Sequence, residues 1–232
     1  MSIVDLLYPK HCPVCMDALP PGKTLICAPC RRKIAYTDGP VCYCCGRPLA
    51  DETQEYCRNC AKSRPSFIRN FTWAEYGSFY TRRMLSEVKY HGDRQLLDFP
   101  CQDFAEKIKK EVQHLGIEVL LPVPVYRKRL LLRGYNQAEE IANRLGKALS
   151  IPVDRAYLIR LSETKAQKML GQEARALNLF RAFQVSGSPG KYRTVMLVDD
   201  IYTTGATLNA CTAVLKRSGT EKIYTATLAI GH

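Results

Sequence analysis

A run of four apolar residues that ends abruptly in two aspartates constrains the fold of this chain more than any other feature. Residues 195–208 read VMLVDDIYTTGATL. Four apolar residues bounded by charge are typical of a buried central strand in a parallel sheet. Ligands of such sheets bind at the carboxyl ends of the strands, which is where Asp199 and Asp200 lie. The sequence therefore predicts an α/β fold with a ligand site directly after this strand.

The turn that follows the aspartates is built from small residues. It comprises Thr203, Thr204, Gly205, Ala206 and Thr207, and a helical pattern of apolar residues starts at the next position. Small residues allow backbone N–H groups to surround a phosphate at the N-terminus of the following helix. Two carboxylates suit the hydroxyl groups of a diol or a hydrated Mg²⁺. The acid pair and the turn together predict a site for a ribose 5-phosphate.

Three other interpretations of this segment compete. A Walker B strand also ends in acidic residues, but the chain has no G-x-x-x-x-G-K-[ST] motif to supply the phosphate loop. The acid pair of a receiver domain is the second interpretation, although such a domain does not require the TTGAT turn. A solvated strand end followed by a chance turn is the third.

The segment resembles the 5-phosphoribosyl-1-pyrophosphate (PRPP) loop of type I phosphoribosyltransferases over about 13 consecutive positions. The resemblance implies that Asp199 and Asp200 are catalytic residues that hold the ribose 2′- and 3′-hydroxyls of PRPP. It also implies that residues 203–207 bind the 5′-phosphate, and that Mg²⁺ bridges the carboxylates to the pyrophosphate.

Eight cysteines form an internal repeat near the N-terminus. Two C-x2-C pairs separated by eleven residues make one unit, and two further pairs with the same separation make the next. Each unit is close to a known zinc signature, C-x2-C-x15–20-C-x2-C. Sequential pairing predicts one zinc on a first set (Cys12, Cys15, Cys27, Cys30) and one on a second set (Cys42, Cys45, Cys57, Cys60). A crossed arrangement that exchanges the middle pairs stays open. Cys44 could replace Cys42 as a ligand, although we interpret it as a bystander.

Disulfides and an iron–sulfur cluster are the alternatives to zinc. The apolar stretch at residues 3–7 is too short for a signal peptide and contains Asp5. We therefore expect a cytoplasmic protein, whose thiols stay reduced and bind metal. Iron–sulfur spacings are usually less regular than two identical units. Four thiolates close the coordination shell of zinc, so we expect two structural zinc ions, each contributing on the order of 10 kcal/mol to folding.

The charge of the chain is strongly basic. It carries 34 Lys and Arg against 22 Asp and Glu, a formal net charge of +12. Residues 1–62 hold only eight of the basic and six of the acidic residues, so the basic excess belongs to the remainder. This favours polyanions or phosphorylated small molecules as partners. No apolar run reaches the ~18 residues of a transmembrane helix, so no membrane span is expected.

Strand and helix patterns alternate after residue 62. Strands are predicted at residues 71–76, 119–123, 195–198 and 223–230, and helices at residues 79–90, 101–115, 136–149 and 208–216. This alternation predicts a mainly parallel sheet flanked by helices. Ser63, Pro65 and Ser66 break the pattern. We therefore expect a double zinc-ribbon module at residues 1–62 and a phosphoribosyltransferase-like α/β domain at residues 63–232.

Two further segments bear on ligand binding. Prolines end the strand at 119–123, and a cationic loop follows with Arg127, Lys128, Arg129 and Arg133, before Asn136, which can cap a helix. The loop could hold pyrophosphate, and a solvated basic loop is the alternative. The polar segment 160–183 is either a helical cover over the ligand or an exposed amphipathic helix, which its periodicity favours.

All these features together resemble the ComF/GntX-type competence proteins. The zinc module, the P-V-P strand, R-G-Y-N-Q, the R…T…Q…R…N…AF segment and D-D-x-x-T-T-G-x-T occur here in that order. The resemblance implies a cytosolic bacterial protein that binds PRPP and takes part in the uptake of transforming single-stranded DNA. The partners that it implies are this DNA and a competence DNA helicase.

Two classes of function remain open. The chain is either a transferase that moves phosphoribose to an unknown acceptor with release of pyrophosphate, or a non-catalytic single-stranded DNA-binding or adaptor protein that senses PRPP. The basic domain and four tyrosines (Tyr80, Tyr90, Tyr126, Tyr135) permit base stacking and phosphate contacts in the second case.

Overall fold

The computed structural model describes residues 11–20, 25–162 and 178–231. Its strands are β1 (Asn70–Glu75), β2 (Val119–Pro122), β3 (Leu158–Arg160), β4 (Phe183–Val185), β5 (Thr194–Tyr202) and β6 (Lys222–Ile230). Its helices are α1 (Ala28–Arg32), α2 (Arg58–Lys62), α3 (Phe79–His91), α4 (Asp98–His114), α5 (Arg127–Arg133), α6 (Gln137–Leu149) and α7 (Ala206–Arg217). A 3-10 turn, Arg94–Leu97, precedes α4.

The central sheet has four parallel strands in the order β1-β6-β5-β2, and β3 and β4 form a separate antiparallel pair. β5 and β6 lie in the middle because they are apolar over most of their length, as buried parallel strands are. The predicted α/β class is therefore confirmed. β5 is longer than predicted and runs past the aspartates, because Asp199, Ile201 and Tyr202 still pair with β6.

One predicted local structure is wrong. The cationic stretch after β2, expected as a loop, forms helix α5. Arg, Lys and Leu are all good helix formers, and Gly134 ends the helix in a left-handed conformation with φ 76°. Of the polar segment 160–183, the beginning belongs to β3 and the end to β4. The prediction of an amphipathic helix or cover falls mostly on residues 163–177, which lie outside the described residues.

The two cysteine sets pack on opposite faces of the sheet. Side chains alternate along β5, so Met196 joins one apolar cluster and Leu197 the other. The first cluster holds Cys12 and Cys30 together with residues of α3, α4 and α6. The second cluster holds all four thiols of the second set together with residues of α7. The cysteine region thus contributes to both apolar cores.

The chain between the two sets crosses from one face to the other around β1, the edge strand of the sheet. Tyr36 bridges to Ala74, and the Asn70 N–H donates to the Cys44 carbonyl at 2.7 Å. Covering an edge strand in this way occupies backbone groups that otherwise pair with other chains. None of the helices among the described residues has both the length and the apolar character that crossing a membrane requires.

Candidate functional site

An open cavity of about 210 Å³ lies at the carboxyl ends of β2 and β5. These strands are parallel neighbours, so the segments that follow them meet at one edge of the sheet. The polar residues that line the cavity are Lys89, Arg133, Asn136, Gln137, Arg160, Asp199, Asp200 and Thr207. Two carboxylates and three cations therefore share one space, an arrangement suited to a ligand with both hydroxyl and phosphate groups.

The aspartate pair is held by its own backbone. The Asp200 N–H donates to Asp199 Oδ1 at 2.9 Å, and the Ile201 N–H donates to Asp200 Oδ1 at 2.8 Å. Burial, and then the charge of Asp200, raise the pKa of Asp199 well above its usual range, while Lys89 acts in the opposite direction. Two adjacent carboxylates in a half-buried position repel each other, so a cation or hydroxyl donors would relieve them.

The small-residue turn joins the aspartates to α7. Gly205 caps the helix with φ 73°, which favours glycine, and its carbonyl accepts from the Asn209 N–H at 2.8 Å. The Ala206 N–H lies 3.4 Å from Thr204 Oγ1. The first N–H groups of a helix have no partner within the helix, so this end of α7 presents donors and a positive dipole to an anion. Thr207 also lines the cavity, whereas Thr203 and Thr204 are exposed.

The cavity contains only part of the predicted cationic stretch. Arg133, at the end of α5, lines it and donates from Nη1 to Gln137 Oε1 at 3.3 Å. Arg127 and Lys128, at the beginning of α5, are exposed and are not among its lining residues. The side chain of Arg129 lies outside the described set. The helical conformation separates the two ends of the stretch, which an extended loop could have brought together.

Four polar residues of the cavity were not predicted as site residues. Lys89 comes from α3, Arg160 from β3, and Asn136 and Gln137 from the beginning of α6. Asn136 caps α6 as predicted: its Oδ1 accepts from the Ala138 N–H at 3.1 Å, while its Nδ2 donates to the Val123 carbonyl at 3.1 Å. Asn136 and Gln137 both belong to the R-G-Y-N-Q motif, which could have identified them as site residues. Nothing in the helical pattern around Lys89 distinguishes it from a solvated lysine.

Each cysteine set forms a compact group with the predicted sequential pairing. Within each set the four Sγ atoms all lie within 4.8 Å of one another. The Cys15 and Cys27 Sγ atoms are 3.6 Å apart, as are those of Cys45 and Cys57. Four thiolates about 2.3 Å from a tetrahedral zinc lie about 3.8 Å apart, whereas a disulfide brings sulfurs to about 2.05 Å. Both sets therefore fit structural zinc, and Cys44 belongs to neither.

Each set contains one thiol whose pKa the backbone lowers, whereas burial and neighbouring thiols raise the pKa of others, such as Cys45 and Cys60. Burial raises the pKa of Cys42, but the N–H groups of Cys45, Cys57 and Cys44 outweigh it and lower the pKa to about 7. The pKa of Cys12, the equivalent thiol of the first set, is also lowered to about 7. A lowered pKa increases the thiolate fraction, which is the form that binds metal.

Two protein families match separate parts of the chain. The double zinc ribbon domain family matches residues 3–61, and the phosphoribosyl transferase domain family matches residues 130–232. A purine phosphoribosyltransferase structure from Pyrococcus horikoshii aligns with 54% of this chain and 68% of its own, at 19% identity and a TM-score of 0.35.

Three relatives align over most of the chain. Competence protein F of Haemophilus influenzae is 33% identical, over 92% of this chain and 93% of its own length. Competence protein ComFC of Bacillus subtilis is 29% identical, over 84% of this chain and 79% of its own. DNA utilization protein YhgH of Escherichia coli O157:H7 is 26% identical, over 94% and 96%. The chain belongs to the ComF family of competence and DNA utilization proteins, with a double zinc ribbon and a phosphoribosyltransferase domain.

Proposed function

We propose that the cavity beside Asp199 and Asp200 binds PRPP. The observation that carries this proposal is the convergence of the acid pair, the N-terminus of α7 and three cations on one space. In this assignment the carboxylates accept hydrogen bonds from the ribose 2′- and 3′-hydroxyls. Backbone N–H groups of residues 203–207 hold the 5′-phosphate, in the way that helix N-termini bind anions.

The remaining polar residues suit the pyrophosphate group. Arg133, Lys89 and Arg160 are the cations that line the cavity, and they would balance the negative charge on departing pyrophosphate. Asp199 and Asp200 offer the hard oxygen ligands that Mg²⁺ prefers, and Mg²⁺ bound with PRPP would supply further positive charge at the leaving group. Transfer to an acceptor would then depend on positioning and charge stabilisation.

The cellular role that we propose follows from the family. The protein would act in the cytoplasm on transforming single-stranded DNA, with a competence DNA helicase as a further partner. Within the chain, residues 1–62 would serve as the zinc-ribbon module and residues 63–232 as the ligand-binding domain. The deletion strain should transform poorly and grow normally, and normal transformation would contradict this role.

A non-catalytic DNA-binding function is the second candidate, and the outer face of α3 favours it. Phe79 is 56% exposed and Tyr90 71% exposed, and eleven residues of helix place them on the same side. Arg82 is also exposed between them, and Lys89 lies at the cavity. Proteins that bind single-stranded nucleic acid stack its bases on exposed aromatic side chains and contact its phosphates with nearby cations. Tyr80 and Tyr135 are less suited, because Lys33 lies over the first ring and the hydroxyl of the second donates to the Val88 carbonyl.

Release of pyrophosphate from Mg²⁺–PRPP separates the two functions. A transferase should release pyrophosphate when the acceptor is supplied, so the assay is run with nucleobases, with single-stranded DNA and with neither. The double variant Asp199→Asn/Asp200→Asn should abolish release and weaken PRPP binding by about 1.5–3 kcal/mol per lost charge-assisted bond, without full additivity. PRPP binding that is unchanged in this variant would contradict the site assignment.

DNA binding needs its own measurement. If the contact is electrostatic, affinity for single-stranded DNA should fall steeply as salt rises. Neutralising Arg82 on the α3 surface, or Arg127 and Lys128 at the beginning of α5, should weaken DNA binding alone, because all three lie outside the cavity. Loss of PRPP binding in the Arg127 and Lys128 variant would instead assign the beginning of α5 to pyrophosphate.

A further inference from the structure

Tyr202 lies between the second cysteine set and the small-residue turn. Its side chain is 6% exposed and packs edge-on against Phe67, with ring centroids 6.2 Å apart. The Tyr202 ring belongs to the same apolar cluster as Phe67 and the four thiols of the second set, while its backbone belongs to β5, three residues before Gly205.

The ring of Tyr202 also lies against the backbone of the turn. A Cβ atom built on Gly205 would lie 2.7 Å from Tyr202 Cζ, closer than any real carbon contact. The φ of Gly205, 73°, independently favours glycine at this position. The Tyr202 carbonyl accepts from the Gly231 N–H at 2.7 Å, which fixes the strand end from which the ring projects. The shape of the turn thus depends on where this ring lies.

A second contact joins the same two regions. The Ser66 N–H donates to Asn209 Oδ1 at 2.8 Å, and Asn209 lies in the first turn of α7. Ser66 follows Cys60 by six residues and precedes Phe67, which packs against Tyr202. The segment leaving the second set is therefore bonded to the helix whose N-terminus forms the proposed phosphate site.

The first cysteine set has no corresponding connection among the contacts of the described residues. It packs on the opposite face of the sheet, where Arg83 Nε donates to the Pro13 carbonyl at 3.3 Å and Lys33 lies over the Tyr80 ring. These contacts reach α3 rather than the turn. The two sets are alike in sequence but differ in what they support.

We propose that Tyr202 is a positioning residue for the phosphate turn, and that metal at the second set and a phosphate ligand at the turn bind with positive coupling. The proposal rests on the proposed PRPP site. Zinc at the second set would hold the ribbon, Phe67 and Tyr202 in place, and the turn would then be ordered before the ligand arrives. Coupling of binding free energies is reciprocal, so bound PRPP should retain the metal of the second set more strongly than that of the first.

Extraction of zinc from the wild-type protein tests this coupling without a variant. A chromogenic chelator is added at graded concentrations with and without saturating Mg²⁺–PRPP, and the zinc released at equilibrium is read by absorbance. We expect PRPP to raise the chelator concentration that removes half of one zinc equivalent by about fivefold or more, the lower range of measured couplings, and to raise it less for the other equivalent. The Cys57→Ser variant should lack the strongly protected equivalent, and Cys27→Ser, its counterpart in the first set, should keep it. Equal protection of both equivalents, or of neither while PRPP binds, would overturn the proposal.

Tyrosine variants test the positioning role directly. Tyr202→Leu should keep two zinc ions and weaken Mg²⁺–PRPP binding about tenfold by titration calorimetry, a coupling of ordinary size. Tyr157→Leu is the matched control, because Tyr157 is a tyrosine of the same apolar cluster that is 2% exposed and packs against Tyr192 instead. The Tyr157→Leu variant should change the dissociation constant of Mg²⁺–PRPP by less than about twofold, because residues that share no partner usually act independently. Equal losses in both variants would reduce the Tyr202 effect to general destabilisation.

The two levels of failure give different results. If wild-type protein with two zinc ions does not bind PRPP, the proposed function itself is wrong. If it binds PRPP but Tyr202→Leu binds equally well, only the positioning role is wrong. If Cys57→Ser does not fold, the wild-type extraction experiment still decides the coupling.

Discussion

At the scale of single residues, the acid pair combines a ligand site with a local cost to stability. Asp199 is held next to Asp200 in a half-buried position, and burial with the second charge raises its pKa. Asp154 has the opposite environment: Lys191 Nζ lies 2.9 Å from its carboxylate, and the Tyr192 hydroxyl donates to it at 3.0 Å. Burial acts to raise the pKa of Asp154, but these partners and backbone N–H groups outweigh it and lower the pKa. Proteins often carry such destabilised groups where they bind ligands.

Replacing Asp199 by asparagine should therefore stabilise the fold at neutral pH, whereas replacing Asp154 should destabilise it. A carboxyl whose pKa is raised by folding lowers stability above its unfolded pKa, which is about 3.9, and more so as pH rises towards the folded pKa. We expect Asp199→Asn to raise the thermal midpoint at pH 7 and to have no such effect below about pH 4. The measurement is thermal unfolding across pH without ligand. A lowered midpoint at pH 7 would contradict the assigned repulsion.

The control has the reverse sign. The lowered pKa of Asp154 stabilises the fold above the unfolded pKa, and this contribution is lost as pH falls through the folded pKa. Asp154→Asn should therefore lower the midpoint at neutral pH, and the difference from wild type should shrink in acid.

At the scale of elements, α5 decides which cations of its stretch reach the ligand. The helix places Arg133 at the cavity and leaves Arg127 and Lys128 exposed. The helix also leaves two leucines exposed, Leu131 at 76% and Leu132 at 79%. The loop predicted from the sequence did not distinguish these two residues. Position along a helix thus separates residues that look equivalent in the sequence.

Charge-neutral variants at the two ends of α5 should differ in ligand affinity. Arg133→Gln should weaken Mg²⁺–PRPP binding by about 1.5–3 kcal/mol, the value of a hydrogen bond to a charged group. Arg127→Gln should change it by less than about 0.5 kcal/mol, as for surface positions in general. Calorimetric titration of both variants gives the comparison, and equal losses would contradict the placement of Arg133.

The edge strand β1 connects the second ribbon to the sheet through one buried side chain. Asn70 Nδ2 donates to the Cys45 carbonyl at 2.9 Å, and its Oδ1 accepts from the Thr225 hydroxyl at 2.7 Å. Its backbone N–H donates to the Cys44 carbonyl. Residue 70 therefore bonds to the cysteine knuckle and to β6 at the same time.

Removal of this side chain should destabilise the fold more than a typical polar substitution. Asn70→Ala leaves a buried carbonyl and a buried hydroxyl without these bonds, each at a cost of about 1–3 kcal/mol. Asn59→Ala is the control, because Asn59 lies exposed on the same ribbon and should change stability by less than about 0.5 kcal/mol. Urea unfolding measures both, and similar values would contradict the role of Asn70.

At the scale of the whole molecule, the cysteine region is part of both apolar cores. Cys12 and Cys30 pack with α3, α4 and α6 on one face, and the second set packs with α7 on the other. A short segment that wraps an edge strand and contributes to two cores cannot lose its fold without exposing apolar surface of the sheet. Metal binding should therefore stabilise the entire chain.

Metal removal should show this dependence. Purified protein should contain close to two zinc equivalents by elemental analysis, one for each set of four thiols. Chelation should lower the midpoint of thermal unfolding of the whole chain, because structural zinc contributes folding free energy directly. Circular dichroism and tyrosine fluorescence should report the same transition. A metal-free, disulfide-bonded protein with an unchanged midpoint would contradict structural zinc.

The sequence by itself determined the features that depend on local spacing. The repeated C-x2-C pairs predicted both four-thiol groups, and the apolar run before Asp199 predicted a central parallel strand. The α/β alternation and the Asn136 cap were likewise predictable, because each depends on residues that are near in the chain. Glycine at position 205 also has a local cause, because this residue precedes α7 with a positive φ, a conformation that favours glycine.

Only the tertiary structure decided which distant residues meet. Lys89 comes from α3 and Arg160 from β3 of the separate antiparallel pair, and both line the same cavity as Asp199 although they are far from it in the chain. The packing of the two ribbons on opposite faces, and the contact of Tyr202 with Gly205, have no local signature. Periodicity reports which face of an element is apolar, but the partner of that face depends on how the chain is routed through the fold.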